Sequence, residues 1–188
     1  MAVGQLEISA TPLAGLKVVQ RRCIEDSRGY FSRIFCADEL RESGFPGAIA
    51  QINQTLTRRC GAVRGMHFQN PPHTETKVVS CLKGRVFDVA VDLRRGSPTF
   101  LAWHGEILSA DNRKSLLIPE GFAHGFQTLT DDCELLYLHS APYAPAAEGA
   151  LNARDPRLSI DWPLPLGEMS ERDRQHPNID FDFPGIEP

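Results

Sequence analysis

The stretch R-V-F-D-V-A-V-D-L, residues 85–93, alternates without a break: Phe87, Val89, Val91 and Leu93 fall on one side, Val86, Asp88, Ala90 and Asp92 on the other. Successive side chains of a strand point to opposite faces, so this period of two predicts a β-strand with one wholly apolar face, which must be core. The opposite face carries two carboxylates among small apolar residues, and a carboxylate taken out of water is costly unless it is paired. An inward-facing Asp88 or Asp92 therefore predicts a polar pocket inside a β-structure. His67 and His124, on strands expected in the same sheet, are its natural partners.

Outward from that strand, residues 49–140 read as short strands separated by turns. Lys83-Gly84 reads as a hairpin turn, and S-A-D-N at 109–112 and T-D-D at 130–132 punctuate the chain at similar spacing. Such regularity points to a sandwich or barrel. Two helices are expected, one around A-D-E-L-R-E-S at 37–43 and a short one opening at S-E-R-D, 170–173. Many of the 14 prolines follow residue 141, which predicts an extended C-terminal segment wrapped on the rest. A chain of 188 residues suits one core, so the expectation is a single all-β domain over 1–188. Within it we expect an N-terminal arm over about 1–48, a barrel over about 49–145 and a C-terminal wrap over about 146–188.

The formal net charge is -4, and the pairs Arg21-Arg22, Arg58-Arg59 and Arg94-Arg95 are scattered among acids. That gives no basic stripe for a nucleic-acid backbone, whereas a small anion needs only two or three cations. No apolar run has the length of a membrane span, and the N-terminus lacks a basic start followed by an apolar block, so no membrane partner and a cytoplasmic location are expected. Cys23, Cys36, Cys60, Cys81 and Cys133 are widely spaced without a C-x-x-C pair. They read as reduced, buried residues rather than a disulfide framework or zinc clip.

The stretch I-P-E-G-F-A-H-G-F, 118–126, contains P-x-G-x-x-H and resembles the second motif of the cupin superfamily. Those are small double-stranded β-helix (jelly-roll) barrels that often hold a metal through H-x-H, a glutamate and this later histidine. The first motif departs: His67-Phe68-Gln69 has an amide where the second imidazole would stand. Two histidines and no well-placed carboxylate fall short of the ligand set of a catalytic first-row metal, so neither metal nor other cofactor is expected. Within the cupins, R-G-M-H-F-Q (64–69), the run 84–100, L-I-P-E-G-F-A-H-G-F (117–126), E-L-L-Y (134–137) and S-E-R-D resemble, in order, the signatures of the dTDP-4-dehydrorhamnose 3,5-epimerase family, over about residues 15–175. The resemblance implies a metal-free, homodimeric isomerase that inverts C3 and C5 of a nucleotide-linked 4-keto-6-deoxyhexose. Its pathway is dTDP-rhamnose biosynthesis, which feeds lipopolysaccharide and other cell-surface polysaccharides.

Both carbons flank a ketone, so inversion needs a base, an acid across the ring, and donors on the enolate oxygen. By the resemblance His67 is the base, Asp173 its orienting carboxylate, Tyr137 the acid and Lys77 the clamp on the ketone oxygen. Arg64 is implied to bind the diphosphate or assist that clamp, and His124 with Asp88 to support the site. Arg28 and Phe31 of D-S-R-G-Y-F are implied to reach the nucleotide end of the neighbouring subunit's site, with Gln51, Asn53, Tyr143 and Arg172 as further candidates there. The bland roles are equally concrete. His67 would be a satisfied structural histidine, Asp173 a helix cap, Tyr137 a core aromatic, Lys77 a snorkelling edge lysine, Arg28-Gly29 a turn and Asp88 a surface position.

The chain departs from the family pattern at Arg33 (an acid is usual), Glu75 (glutamine), Leu138 (lysine) and Ala153-Arg154 (tryptophan and a small polar residue). These leave base, acid and clamp in place but open the substrate's details. An epimerase acting at one carbon of a related nucleotide sugar is the alternative, followed by a metal-dependent cupin and a non-catalytic sugar-binding barrel.

Overall fold

In the computed structural model, which describes residues 4–188, the alternating stretch forms a strand at the centre of a two-sheet barrel; residues 1–3 of the single-domain reading lie outside the described residues. One sheet runs, side by side, β1 (Leu6–Ala10), β2 (Lys17–Arg21), β10 (Lys114–Ile118), β7 (Lys77–Lys83), β12 (Cys133–His139) and β5 (Gln51–Thr57). The other runs β13 (Glu148–Ala150), β6 (Val63–Gln69), β11 (Phe122–Thr128), β8 (Arg85–Asp92) and β9 (Trp103–Ser109). All neighbours are antiparallel. A separate hairpin, β3 (Cys23–Asp26) and β4 (Gly29–Ser32), stands apart from both sheets. The two helices lie where expected: α1 is Ala37–Arg41 and α2 is Glu171–Arg174, capped by the Ser170 hydroxyl.

The turn at Lys83-Gly84 is not a hairpin. β7 belongs to the six-stranded sheet and β8 to the five-stranded one, so the chain crosses between sheets there. Gly84 has φ +77°, and a Cβ on it would meet Thr130 Oγ1 at 2.7 Å and Cys133 Sγ at 2.8 Å, so the corner requires glycine. The turns at 109–112 and 130–132 likewise carry β9 to β10 and β11 to β12 from one sheet to the other. This crossing pattern is the cupin-type double-stranded β-helix. The N-terminal segment is more than an arm, because its β1 and β2 extend the larger sheet.

Three apolar layers result. Val79, Cys81, Leu116 and Leu135 of one sheet meet Val86, Ala90, Leu108 and Phe126 of the other inside the barrel. The apolar face of β8, with Val89 and Val91, is covered by Leu151, Leu158, Ile179 and Ile186 of the C-terminal segment. The outer face of the larger sheet, Val19, Val78, Leu117 and Leu138, packs under Leu40 and Phe45 at α1. Leu138 is thus a core residue on the face opposite Tyr137. Asp92, at the end of β8, is fully buried and satisfied by Arg94, Ser97 and Thr99. Of the cysteines, Cys81 and Cys133 are buried, Cys23 and Cys36 half-buried and Cys60 exposed, which corrects the expectation that all five are interior. No helix among the described residues is long and apolar enough to cross a membrane.

Candidate active site

The barrel is filled with apolar side chains at one end only. Toward the other the inner faces of β5, β6, β7, β11 and β12 turn polar and line a cavity of about 930 Å³. Strand alternation decides who faces it. On β12, Leu135 lies in the core, so Tyr137 and His139 also point inward; on β7, Val79 and Cys81 bring Lys77 with them. On β11, His124 follows Phe122 and precedes Phe126, and it is the register partner of His67 on β6. The structure brings His67, Tyr137, Asp173, Lys77, Arg64, Asn53, His124 and Arg172 to this one cavity.

His67 Nε2 lies 2.9 Å from Asp173 Oδ1, and Nδ1 makes no hydrogen bond among the described residues. The side chain of Asp173 is only 5% exposed. Burial pushes its carboxyl up, but the hydrogen bond and charge of His67, with the Gly65 and Ser170 contacts, hold it down at about 2. The bond to Ser170 satisfies the cap through the Asp173 main-chain N–H, which leaves the carboxylate free for His67. Asp88, fully buried, pairs with His124 Nε2 at 2.9 Å, so it is no surface position. Tyr137 stands between two imidazoles, its ring centroid 6.0 Å from those of His124 and His139. Burial, reinforced by the Asp88 charge, pushes its phenol well above the ordinary range and keeps it protonated. Lys77 is buried on a central strand and paired to Glu75 at 2.9 Å, which corrects the edge-lysine alternative.

The cavity's outer wall is cationic: Arg58, Arg59, Arg64 and Arg172 all line it. Arg64 donates to the Thr57 hydroxyl at 2.9 Å, and Arg172 is forked onto Glu148 at 2.8 and 3.1 Å. Five of the named residues do not line the cavity, and one of them, Asp88, reaches it only through His124. Gln51 accepts from the Tyr143 N–H, and Tyr143 donates its hydroxyl to Glu148. Arg28 is exposed and paired to Asp26, and Phe31 is 61% exposed on the β3–β4 hairpin. Arg33, where the family pattern has an acid, is tied to Glu39 of α1 at 2.6 Å. Ala153 packs with Val63 and Met169 behind the cavity, and its carbonyl accepts from the Trp162 indole.

Sequence reading missed His139, Arg58, Arg59 and His176. His139 was readable, since it stands two residues after Tyr137 and alternation puts it on the same face. His176 was readable too, since it stands three residues after Asp173 and the turn at α2 brings the two within 3.4 Å. His67, Asp173 and His176 offer three ligand atoms within 4.8 Å of one another. The ligand count made from sequence, two histidines without a placed carboxylate, therefore overlooks a possible metal-holding set.

Comparison with known proteins agrees with this geometry. A family model described as dTDP-4-dehydrorhamnose 3,5-epimerase matches residues 10–180. The dTDP-4-dehydrorhamnose 3,5-epimerase of Pseudomonas aeruginosa is 44% identical over 174 residues, covering 89% of this chain and 94% of that one. A dTDP-4-dehydrorhamnose 3-epimerase of Streptomyces niveus is 42% identical over 150 residues, 79% and 72% of the two chains. The crystal structure of a dTDP-6-deoxy-D-glucose-3,5-epimerase from Legionella pneumophila, in complex with dTDP-4-keto-L-rhamnose, superposes with a TM-score of 0.90 at 37% identity, covering 97% of this chain and 99% of that one. With the family model spanning most of its length and relatives this similar over nearly the whole barrel, the chain belongs to the dTDP-4-dehydrorhamnose 3,5-epimerase family.

Proposed function

We propose that the protein epimerises a nucleotide-linked 4-keto-6-deoxyhexose at C3 and C5, converting dTDP-4-dehydro-6-deoxy-D-glucose to dTDP-4-dehydro-L-rhamnose through enolates. The observation that carries this reading is one cavity lined by a carboxylate-paired imidazole, a buried phenol and a buried ammonium. His67 removes the proton beside the ketone; with Nε2 committed to Asp173, the ring presents Nδ1 as the base. Lys77 holds the enolate oxygen, and Tyr137 returns a proton from the other face of the ring. His124, backed by Asp88, lines the cavity near both, and the arginines hold the diphosphate.

The finer parts of the reading are a homodimer in the cytoplasm, serving cell-surface polysaccharide synthesis. Exposed Ile24, Tyr30 and Phe31 on the β3–β4 hairpin and Ile52 on the edge strand β5 support a partner surface. In the dimer Arg28 and Phe31 contact the nucleotide in the partner's cavity, and Gln51, Asn53, Tyr143 and Arg172 serve the same end.

The test is incubation with the dTDP-4-keto-6-deoxyglucose substrate in D2O, following each carbon by NMR. Deuterium enters at C3 and C5 with the wild type. His67→Asn lowers exchange at both by about 10²- to 10⁴-fold, and Tyr137→Phe retains exchange while losing net inversion. Uptake at C3 alone establishes the single-carbon alternative, the activity for which the Streptomyces niveus relative is named. Binding without exchange establishes a sugar-binding barrel. Activity that vanishes with a chelator and returns with a divalent metal establishes the metal-dependent alternative.

A further inference from the structure

Three histidine–carboxylate pairs surround one cavity, and the proposed reaction uses only two of them. The third is His139 with Glu75. Glu75 joins two neighbours: its Oε1 lies 2.9 Å from Lys77 Nζ and its Oε2 2.7 Å from His139 Nδ1. Lys77 and His139 are themselves register partners across β7 and β12. Although burial pushes the Glu75 carboxyl up, the His139 hydrogen bond and the Lys77 charge outweigh it and leave its pKa lowered. The carboxylate accepts, so His139 Nδ1 carries the proton. In a neutral imidazole the other nitrogen is then an acceptor.

That nitrogen, Nε2, is buried and has no hydrogen-bond partner, in a residue that is 9% exposed and lines the cavity. Buried polar atoms are nearly always satisfied, so an orphan in the wall of a ligand cavity points to a partner that arrives with the ligand. Lys77 and His139 are held by the two oxygens of one carboxylate, so the ligand groups they meet are neighbours. Given Lys77 on the C4 oxygen, the hydroxyl adjacent to it is the one at C3, since C5 carries the ring oxygen and a methyl group but no hydroxyl. We propose that His139 Nε2 accepts a hydrogen bond from the C3 hydroxyl of the bound sugar, which makes His139 a specificity-determining residue and Glu75 the group that positions it. The inference rests on the epimerase reading above and goes beyond it, because it ties recognition at one of the two reacting carbons to this pair.

Two variants and one analogue test it. His139→Phe keeps a flat ring against Tyr137, which it stacks on at 16° between planes, but removes both nitrogens. With the dTDP-4-keto-6-deoxyglucose substrate in D2O, the C3-to-C5 exchange ratio should fall about 3- to 10-fold, the worth of one hydrogen bond. His139→Gln, whose amide donates to Glu75 and whose carbonyl accepts, should recover most of that ratio. A merely structural role would slow both carbons together, and an unchanged ratio in His139→Phe overturns the proposal. Should that variant not fold, the wild type decides alone: it should bind the 3-deoxy analogue about 3- to 10-fold more weakly than the parent sugar, and equal binding overturns the proposal. Wild-type exchange at neither carbon would instead overturn the epimerase reading, and this inference with it.

Discussion

Asp173 answers two demands with separate atoms. Its main-chain N–H meets Ser170 at 3.0 Å and starts α2, while its carboxylate reaches back across the chain to His67. Held at about 2, below the ordinary carboxylate range, the group contributes stability that is complete above about pH 4 and is lost as pH falls toward 2. Asp173→Asn should therefore flatten the acid limb of a denaturation-midpoint against pH curve. In the same variant the exchange rate at C3 and C5 should drop about 10²- to 10⁴-fold, because an amide neither fixes the tautomer of His67 nor stabilises its charged form. At this scale the sequence was partly legible. The identities of His67, Tyr137, Lys77 and Asp173, and the pairing of His67 with Asp173, came from the resemblance of ordered motifs; that contact spans 106 positions, and no local pattern alone encodes it. Glu75 and His139 were hidden differently: an unusual residue was visible, and its partner lay on an alternating strand, yet only the register of β7 against β12 joins them.

Strand pairing is where the site's precision resides, above all between β6 and β11. A Cβ on Gly125 would lie 2.7 Å from the Arg64 carbonyl and 2.6 Å from Met66 Sδ; one on Gly65, at φ +120°, would lie 2.6 Å from Gly125 Cα. These glycines let the backbones that carry His67 and His124 approach closely. Gly125→Ala should cost about 1–3 kcal/mol in urea unfolding. It should also slow exchange, because the Arg64 carbonyl must shift and His67 lies on the same strand. Legibility at this level was uneven for a physical reason. Alternation in 85–93 marks a strand and its faces, and Gly84 marks a corner, but a corner does not say which strand the chain meets next. The hairpin expected there is a crossing between sheets, and β1 and β2 read as an arm because their short apolar runs acquire meaning only beside β10.

The molecule as a whole sets the proposed acid–base groups between the barrel and a C-terminal segment that contributes Asp173. Ile179 of the wrap is buried against the outer face of β8, so Ile179→Ala should lower stability by about 2–4 kcal/mol. With the fold intact at 25 °C, turnover should change little, since Ile179 lies outside the cavity lining. The proposed dimer makes a sharper demand. Arg28 and Phe31 lie away from their own chain's cavity, so if they serve the partner's site, loss of Arg28 in one subunit damages the site of the other. Preparations of His67→Asn and Arg28→Ala, each nearly inactive, should then regain activity when co-refolded. In a mixed dimer the subunit that retains His67 receives an intact Arg28 from its partner, while the second site carries both lesions. Random pairing makes half the dimers mixed with one good site in each, so recovery should reach about a quarter of the wild-type rate. Recovery of none, with mixed dimers present by mass, would assign Arg28 to its own subunit or to the surface.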